Sequence, residues 1–248
     1  MTNLDILPGA EPLSHNGGPT GVLVIHGFTG SPQSMDPIAQ ACIGAGHTVE
    51  MPRLPGHGTS VEDMLSTSWA DWSAHVEHAY LDLASRCERV FVTGLSMGGA
   101  LTLWLASRHN AIAGIAIVNS AGEPSAERTA ALAAVVEAGR LTIEAIGNDI
   151  AKPDVVELAY DETPLAPLLS LVEAVNNFDL EAITCPTLIM VSDQDHVVPP
   201  ETATYIAGQV NTTATVVHLT KSFHVATLDH DAELINSQIV DFIASNSK

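Results

Sequence analysis

The stretch RVFVTGLSMGG, residues 89–99, decides how this chain folds. Residues before the serine form a largely apolar run, which is typical of a strand buried on both faces of a sheet. Those after it predict a helix over residues 97–108. Because only Ser96 separates the two elements, the turn is sharp, and the neighbouring Gly94 and Gly98 must be small. The stretch therefore predicts a strand, a tight turn at Ser96 and a helix.

Strand and helix patterns alternate on both sides of this stretch. Continuous apolar runs predict further strands, and apolar residues at spacings of three and four predict amphipathic helices. The predicted strands cover residues 21–28, 47–51, 112–119, 187–192 and 215–219, and the predicted helices cover residues 35–45 and 69–84. Repeated β-α units of this kind predict an α/β protein with a mostly parallel, doubly wound sheet.

One segment, residues 122–182, interrupts the alternation. It is about sixty residues long, shows helical patches and no convincing strand, and is too long for a simple connection. It is either a functional insertion or an additional helical layer. We therefore divide the chain into a core, residues 1–121 and 183–248, and an insertion, residues 122–182. A single hydrophobic core is expected, since 248 residues fit one α/β domain.

The charge of the chain disfavours some classes of partner. Only 9 Lys and Arg residues oppose 29 Asp and Glu residues, which gives a net charge of −20 at pH 7. This charge repels phosphate backbones, so we expect no nucleic acid partner, whereas a neutral ester substrate meets no long-range penalty. Adaptation to salt would produce the same acidity, and the sequence does not separate the two causes.

Composition indicates a globular protein. Hydrophobic residues make up 46% of the chain, which is enough for a large core. No apolar run reaches about 18 residues and the amino terminus lacks a signal peptide pattern, so we expect a soluble, cytoplasmic chain without a transmembrane segment. The cysteines Cys42, Cys87 and Cys185 are odd in number and scattered, which favours buried thiols over a disulfide framework or a zinc site.

Ser96 is the candidate nucleophile. A sharp strand-to-helix turn holds the serine at its centre in strained backbone geometry and exposes the serine hydroxyl above the sheet. The helix that follows directs free N–H groups towards negative charge that develops at this point. The pattern G-x-S-x-G at residues 94–98 also suits a plain glycine-rich turn, so the interpretation depends on partner residues elsewhere.

A serine nucleophile needs a histidine to accept its proton and a carboxylate to orient the histidine. Candidates follow two later predicted strands: Asp193 and Asp195 follow one, and His224 follows the next. Because parallel strands end at a common edge, these groups should leave the same edge as Ser96. Asp195 is preferred to Asp193 because it lies further along its loop and has the better reach.

Two backbone N–H groups are candidate donors to an oxyanion. One belongs to Met97, directly after the candidate nucleophile, and the other belongs to Phe28, in the glycine-rich loop after the first buried strand. This chemistry requires no metal and no organic cofactor. His26 lies in the same loop and could be read as a second base, but its place among glycines favours a role in supporting the loop.

Several motifs resemble those of bacterial monoacylglycerol lipases. They are H-G-F-T-G at 26–30, G-H-G at 56–58, D-W at 71–72, G-L-S-M-G-G at 94–99, V-S-D-Q-D-H-V-V-P-P at 191–200 and F-H-V-A-T-L-D at 223–229. The similarity covers nearly the whole chain and is patchier over residues 123–140. The D-W pair also resembles related bacterial carboxylesterases.

The resemblance implies an α/β-hydrolase fold with a small helical cap, and hydrolysis of monoacylglycerols to glycerol and fatty acid. It also implies that Ser96, Asp195 and His224 form a catalytic triad and that Phe28 and Met97 supply the oxyanion donors. A lipid ester would then be the partner molecule, and the cap could touch a membrane surface transiently.

Parts of the insertion, residues 145–150 and 152–160, also resemble the family, which implies that Ile146 and Glu157 contact substrate. The Glu157 carboxylate stands among apolar residues, where it could bind glycerol hydroxyls or lie on a solvated helix face. Further along the insertion, apolar side chains could line an acyl tunnel or form ordinary helix core; they are Leu165, Leu168, Leu169, Leu171 and Val172.

Two rival functions stay open. The first is a carboxylesterase of broad specificity for short and medium esters. The second is a ligand receptor that kept the fold without catalysis, because fold alone does not fix function. Such a receptor would usually lack a triad residue or a glycine of the oxyanion loop, and here every expected residue type is present. An epoxide hydrolase or a dehalogenase would carry aspartate at the position of Ser96.

Overall fold

The structure is a computed structural model that describes residues 5–145 and 147–247. Its strands are β1 (Leu13–His15), β2 (Thr20–Ile25), β3 (Thr48–Met51), β4 (Arg89–Leu95), β5 (Ile112–Val118), β6 (Thr142–Glu144), β7 (Glu162–Pro164), β8 (Thr187–Ser192) and β9 (Ala214–Leu219). Its α-helices are α1 (Asp36–Gly44), α2 (Val61–Met64), α3 (Trp69–Arg86), α4 (Met97–Arg108), α5 (Ala126–Glu137), α6 (Leu165–Val175), α7 (Glu201–Gln209) and α8 (Ala232–Asn246). Short 3-10 helices span Pro32–Met35 and Leu180–Ala182.

A seven-stranded sheet confirms the predicted α/β architecture. The strand order is β1-β3-β2-β4-β5-β8-β9, and every neighbouring pair is parallel except β1 with β3, which is antiparallel. Since the parallel strands share a direction, the loops that follow β2, β4, β5, β8 and β9 leave the same edge of the sheet. That edge carries the candidate site.

Strand β2 shows how the sheet divides the core. All six of its residues are buried. Val22 and Val24 join the apolar cluster under α1 and α8, whereas Leu23 and Ile25 join the cluster under α3 and α4. This alternation follows from the two-residue period of a strand. Burial of each such side chain stabilises the fold by about 1.5–3 kcal/mol, so helices on both faces hold the central strands in place.

Element ends differ from the predictions where local chemistry sets them. The first predicted strand, residues 21–28, stops at Ile25, because the following glycine-rich segment turns out of the sheet. We call this segment, residues 26–31, the β2 loop. Helix α3 extends slightly further than predicted, and at its start the Asp71 carboxylate accepts the N–H of Ser68 at 2.9 Å. That bond satisfies a backbone donor that the first turn leaves free.

The expectation that the insertion contains no strand is wrong. Strands β6 and β7 pair antiparallel, with Ile143 opposite Thr163. Each strand has three residues, which is too short to show the alternation that identifies strands. Helix α6 buries Leu165 and Leu171, whereas α5 has no fully buried residue. In the described part of the chain, no helix combines the length and the apolar character that crossing a bilayer requires.

Candidate active site

Ser96 lies at the turn between β4 and α4 with φ 55° and ψ −116°. This is a backbone region that non-glycine residues rarely occupy, and packing must hold it. The packing is tight: a Cβ on Gly94 would collide with the backbone of Gly98, and a Cβ on Gly98 would collide with the carbonyl of Ile25. From residue 90 to residue 103, Ser96 alone is not fully buried. The fold therefore presents one hydroxyl at this edge.

His224 and Asp195 meet at the same edge. The Nδ1–H of His224 donates to Asp195 Oδ2 at 2.8 Å, and the other carboxylate oxygen accepts the N–H groups of Val197 and Val198, both at 2.8 Å. A proton held on Nδ1 leaves the lone pair of Nε2 as an acceptor. Asp193, the alternative acid, instead accepts Nδ1–H of an exposed histidine of β9 at 2.7 Å.

The Ser96 hydroxyl makes no hydrogen bond with the residues that the structure describes, and it does not cap α4. The structure therefore places Ser96 and His224 at one sheet edge without a bond between them. Such bonds are often long or absent before substrate binds and tighten in the complex.

The two predicted oxyanion donors flank Ser96. Met97 is the first residue of α4, and Phe28 lies in the β2 loop, whose Gly27 would bring an added Cβ to 3.5 Å from Ser96 Cβ. Within the described part of the chain neither backbone N–H has a hydrogen-bond acceptor, so both are available to a ligand. The Phe28 ring packs edge-on against Trp72, with ring centroids 5.7 Å apart.

His26 supports the β2 loop. It is fully buried, its Nδ1–H donates to the carbonyl of Gly27 at 2.9 Å, and its Nε2 accepts the N–H of Leu54 at 3.1 Å. Burial, followed by the neighbouring His57, holds the pKa of His26 well below its usual range. Both ring nitrogens are thus occupied by backbone, and this neutral histidine has no free nitrogen to serve as a base.

Glu157 reaches this site from the insertion. A Cβ on Gly30 would lie 2.6 Å from Glu157 Oε1, so the carboxylate rests directly on the β2 loop. Burial raises the pKa of Glu157, and the nearby His224 and the hydroxyl of Ser34 oppose that rise. Ile146, the other predicted contact, lies outside the described residues.

Sequence reasoning missed Asn119, a buried residue that follows β5 with φ 45°. Its Nδ2 donates to the carbonyl of His224 at 2.7 Å and to Ser192 Oγ at 2.9 Å, and its Oδ1 accepts the N–H of Ser192 at 2.7 Å. It therefore connects the ends of β5 and β8 to the loop of His224. A polar residue closing an apolar run was the available signal. Asp149, which contacts the same loop, and Asp229, which belongs to it, gave no such signal.

Comparisons with known proteins identify relatives of this chain. Residues 22–236 match the model of the alpha/beta hydrolase family. The chain is 48% identical over 247 residues to a thermostable monoacylglycerol lipase of Bacillus sp. strain H-257, covering 98% of this chain and 97% of that protein. It is 27% identical to a carboxylesterase of Bacillus subtilis strain 168, over 94% of this chain and 96% of the other.

A solved structure reported for the metagenome-derived lipolytic enzymes LipS and LipT superposes with a TM-score of 0.92 at 44% identity, covering 97% of this chain and all (100%) of the other. The family match spans most of the chain, and the identity to the Bacillus lipase extends over nearly its full length. This chain therefore belongs to the α/β-hydrolase family and is a homologue of the bacterial monoacylglycerol lipases.

Proposed function

We propose that this protein hydrolyses monoacylglycerols to glycerol and fatty acid through an acyl-enzyme on Ser96. The observation that carries the chemistry is the buried bond between His224 and Asp195, at the sheet edge where the strained turn presents Ser96. The observation that supports the substrate is the 48% identity to the Bacillus lipase. A neutral lipid ester also suits a chain with a net charge of −20.

In the first half-reaction, Ser96 Oγ attacks the acyl carbon while His224 Nε2 takes the hydroxyl proton. The carbonyl oxygen becomes an oxyanion, which accepts hydrogen bonds from the N–H groups of Phe28 and Met97. Loss of one such donor typically slows catalysis by about 10²–10³-fold. The intermediate then expels the glycerol oxygen, which receives the proton from His224, and the acyl group stays on Ser96.

In the second half-reaction, water attacks the acyl-enzyme. His224 takes a proton from this water, the second tetrahedral intermediate collapses, and the fatty acid leaves as Ser96 recovers its proton. Asp195 keeps its place throughout, holding the imidazole in the tautomer that accepts at Nε2 and stabilising the imidazolium that forms. Apart from the substrate and water, the proposed steps use only side chains and backbone N–H groups of this chain.

The insertion would act as a cap that recognises the substrate. In this proposal the Glu157 carboxylate accepts hydrogen bonds from glycerol hydroxyls. The partly exposed side chains of Leu168, Leu169 and Val172 would face the acyl chain. Residues at the outer side of the cap, such as Leu141 with 66% exposure, would make transient contact with a lipid surface.

The substrate assignment is tested by initial rates for 1-monooleoylglycerol, dioleoylglycerol and p-nitrophenyl esters of increasing chain length. We expect the highest kcat/KM for the monoacylglycerol. A similar kcat/KM for every short and medium ester would instead establish a broad carboxylesterase, the activity named for the 27% identical relative.

The chemistry is tested separately with Ser96→Ala. This variant should fold, lose turnover of p-nitrophenyl butyrate and lose labelling by a fluorophosphonate, which attaches to an activated serine. Retained turnover in a folded Ser96→Ala protein would refute the acyl-enzyme. If the unchanged protein bound monoacylglycerol without turning it over, it would be a receptor rather than an enzyme.

A further inference from the structure

Asp229 is a buried carboxylate that joins two segments far apart in the sequence. It is 1% exposed and accepts four backbone N–H groups. Its Oδ1 accepts from Lys152 at 2.9 Å and from His230 at 2.7 Å, and its Oδ2 accepts from Ala151 at 2.7 Å and from Phe223 at 2.9 Å. Each oxygen therefore binds one N–H of the insertion and one N–H of the loop that carries His224. We call that loop, residues 220–231, the histidine loop.

The four hydrogen bonds to Asp229 are more than the turn of the histidine loop requires. The N–H groups of Phe223 and His230 would suffice to satisfy a local carboxylate turn. The two further donors come from residues 77 and 78 positions away in the chain. Among the described residues no Lys, Arg or His side chain pairs with Asp229, so backbone donors alone compensate its burial.

A second carboxylate makes the reverse connection. Asp149, in the insertion, accepts the N–H of His224 at 3.0 Å on Oδ2 and the Nδ1–H of His196 at 2.7 Å on Oδ1. Its own carbonyl accepts the N–H of Val225 at 3.1 Å. The segment 149–152 and the histidine loop are thus fastened to each other from both sides of His224.

We propose that Asp229 and Asp149 are positioning residues, and that through them segment 149–152 of the insertion helps to hold His224 in place. The main-chain N–H of His224 is held by Asp149, its carbonyl is held by Asn119, and the N–H groups of Phe223 and Val225 are held by the carboxylate of Asp229 and the carbonyl of Asp149. This proposal rests on the proposed function, in which His224 moves the proton. It follows that segment 149–152 stays fixed to the core during any opening of the cap.

Asp229→Asn is the first test. An amide has one acceptor oxygen, so its NH₂ group must face two backbone N–H donors in either orientation, and one bond to the insertion and one to the histidine loop are lost. Misplacement of a reacting group by about 1 Å typically costs about 10²-fold in rate. We therefore expect kcat for p-nitrophenyl butyrate to fall by about that factor with KM unchanged, because this small ester needs little contact with the cap.

Two further readouts distinguish positioning from a loss of stability. Paraoxon should phosphorylate Ser96 more slowly in Asp229→Asn than in the unchanged protein. Hydrogen exchange, followed by mass spectrometry, should accelerate in peptides that contain Ala151, Lys152 and Phe223. Asp231→Ala is the control for a loss of stability: Asp231 is also a buried carboxylate of the histidine loop, but its Oδ2 accepts Lys221 N–H and Ser222 Oγ–H, both at 2.9 Å, and it makes no hydrogen bond to the described residues of the insertion. Loss of this acceptor should lower the melting temperature and leave kcat unchanged.

Two variants of Asp149 keep the proposal testable if Asp229→Asn does not fold. Asp149→Asn retains one oxygen for the N–H of His224 and should keep most of kcat, whereas Asp149→Ala loses that acceptor and should lose kcat without a change in KM. Wild-type kcat in folded Asp229→Asn and Asp149→Ala would overturn the positioning role. Failure of the proposed function is a different result, since it would appear as turnover that survives in His224→Ala.

Discussion

Asp195 Oδ2 accepts the Nδ1–H of His224 at 2.8 Å, and 1% and 8% of these two side chains are exposed. Asp195→Asn should lower kcat for p-nitrophenyl butyrate by about 10⁴-fold, the effect known for this change in a serine triad. The reason is the tautomer: an amide NH₂ donates to Nδ1, which moves the imidazole proton to Nε2 and removes the acceptor for the Ser96 proton. Asp193→Asn is the control, because Asp193 binds His218 instead and should leave kcat near its original value.

Steady-state rates of both variants check this assignment. A large loss in Asp193→Asn with little loss in Asp195→Asn would reverse it, and would mean that the loop after β8 rearranges when substrate binds.

Gly98→Ala should reduce the free energy of unfolding by about 1–3 kcal/mol or more, as overpacking typically does. Its Cβ would run into the carbonyls of Ile25 and His26, which are main-chain atoms of the sheet and of the β2 loop and cannot swing aside. Gly44→Ala is the matched control: that glycine ends α1, has open space around its Cβ position, and should stabilise the protein by about 0.5–1 kcal/mol. Urea unfolding curves measure both changes. Equal effects of the two substitutions would contradict the close approach of α4 to β2.

Much of the fold was predictable because long elements carry periodic signals. The apolar runs of β2, β4, β5 and β8 and the spacing of α3 are visible in the sequence, and so is the order of Ser96, Asp195 and His224, which follow β4, β8 and β9. Strands β1, β6 and β7 were not predictable, since three residues cannot display an alternation.

The residues that support the candidate site could not be predicted, for another reason. Asp149 and Asp229 bind main-chain N–H groups that lie 75 to 78 positions away, and a backbone donor has the same chemistry in every residue except proline. No spacing rule identifies such a pair before the chain is folded. Asn119 differs, because a polar residue at the end of the β5 run could have indicated a side chain that holds neighbouring loops.

His57 should make stability depend on pH between about 6.5 and 4. Burial is the main cause that lowers the pKa of this fully buried histidine from 6.5 to about 4. Between these values the unfolded chain binds a proton at His57 and the folded protein does not, so stability is present above pH 6.5 and is lost as the pH falls towards 4. The slope from one such group is at most about 1.4 kcal/mol per pH unit.

Urea unfolding of the unchanged protein and of His57→Gln, at several pH values from 7 to 4, isolates this effect. The difference in unfolding free energy between the two proteins should be largest at pH 7 and should shrink as the pH falls. Buried His26 is present in both proteins, but His57 lowers its pKa, so the difference also contains this coupling between the two rings, which acts in the same direction. His78→Gln, at an exposed position of α3, controls for the loss of a histidine as such. A difference that grows on acidification would show that the buried ring of His57 takes up its proton in the folded state.

Glu157→Ala should raise KM for a monoacylglycerol by about 10- to 150-fold, because a hydrogen bond to a charged group contributes about 1.5–3 kcal/mol. The methyl ester of the same fatty acid lacks glycerol hydroxyls, so its KM should not change. Glu157→Gln keeps an uncharged acceptor, so its KM for the monoacylglycerol should lie between the values of the unchanged protein and of Glu157→Ala. Glu162→Ala removes an exposed carboxylate of β7 and should change KM for neither ester. Comparing the two substrates decides whether Glu157 recognises glycerol or only supports the site. Since the Glu157 carboxylate also rests on Gly30 of the β2 loop, a purely supporting role would impair hydrolysis of both esters to the same extent.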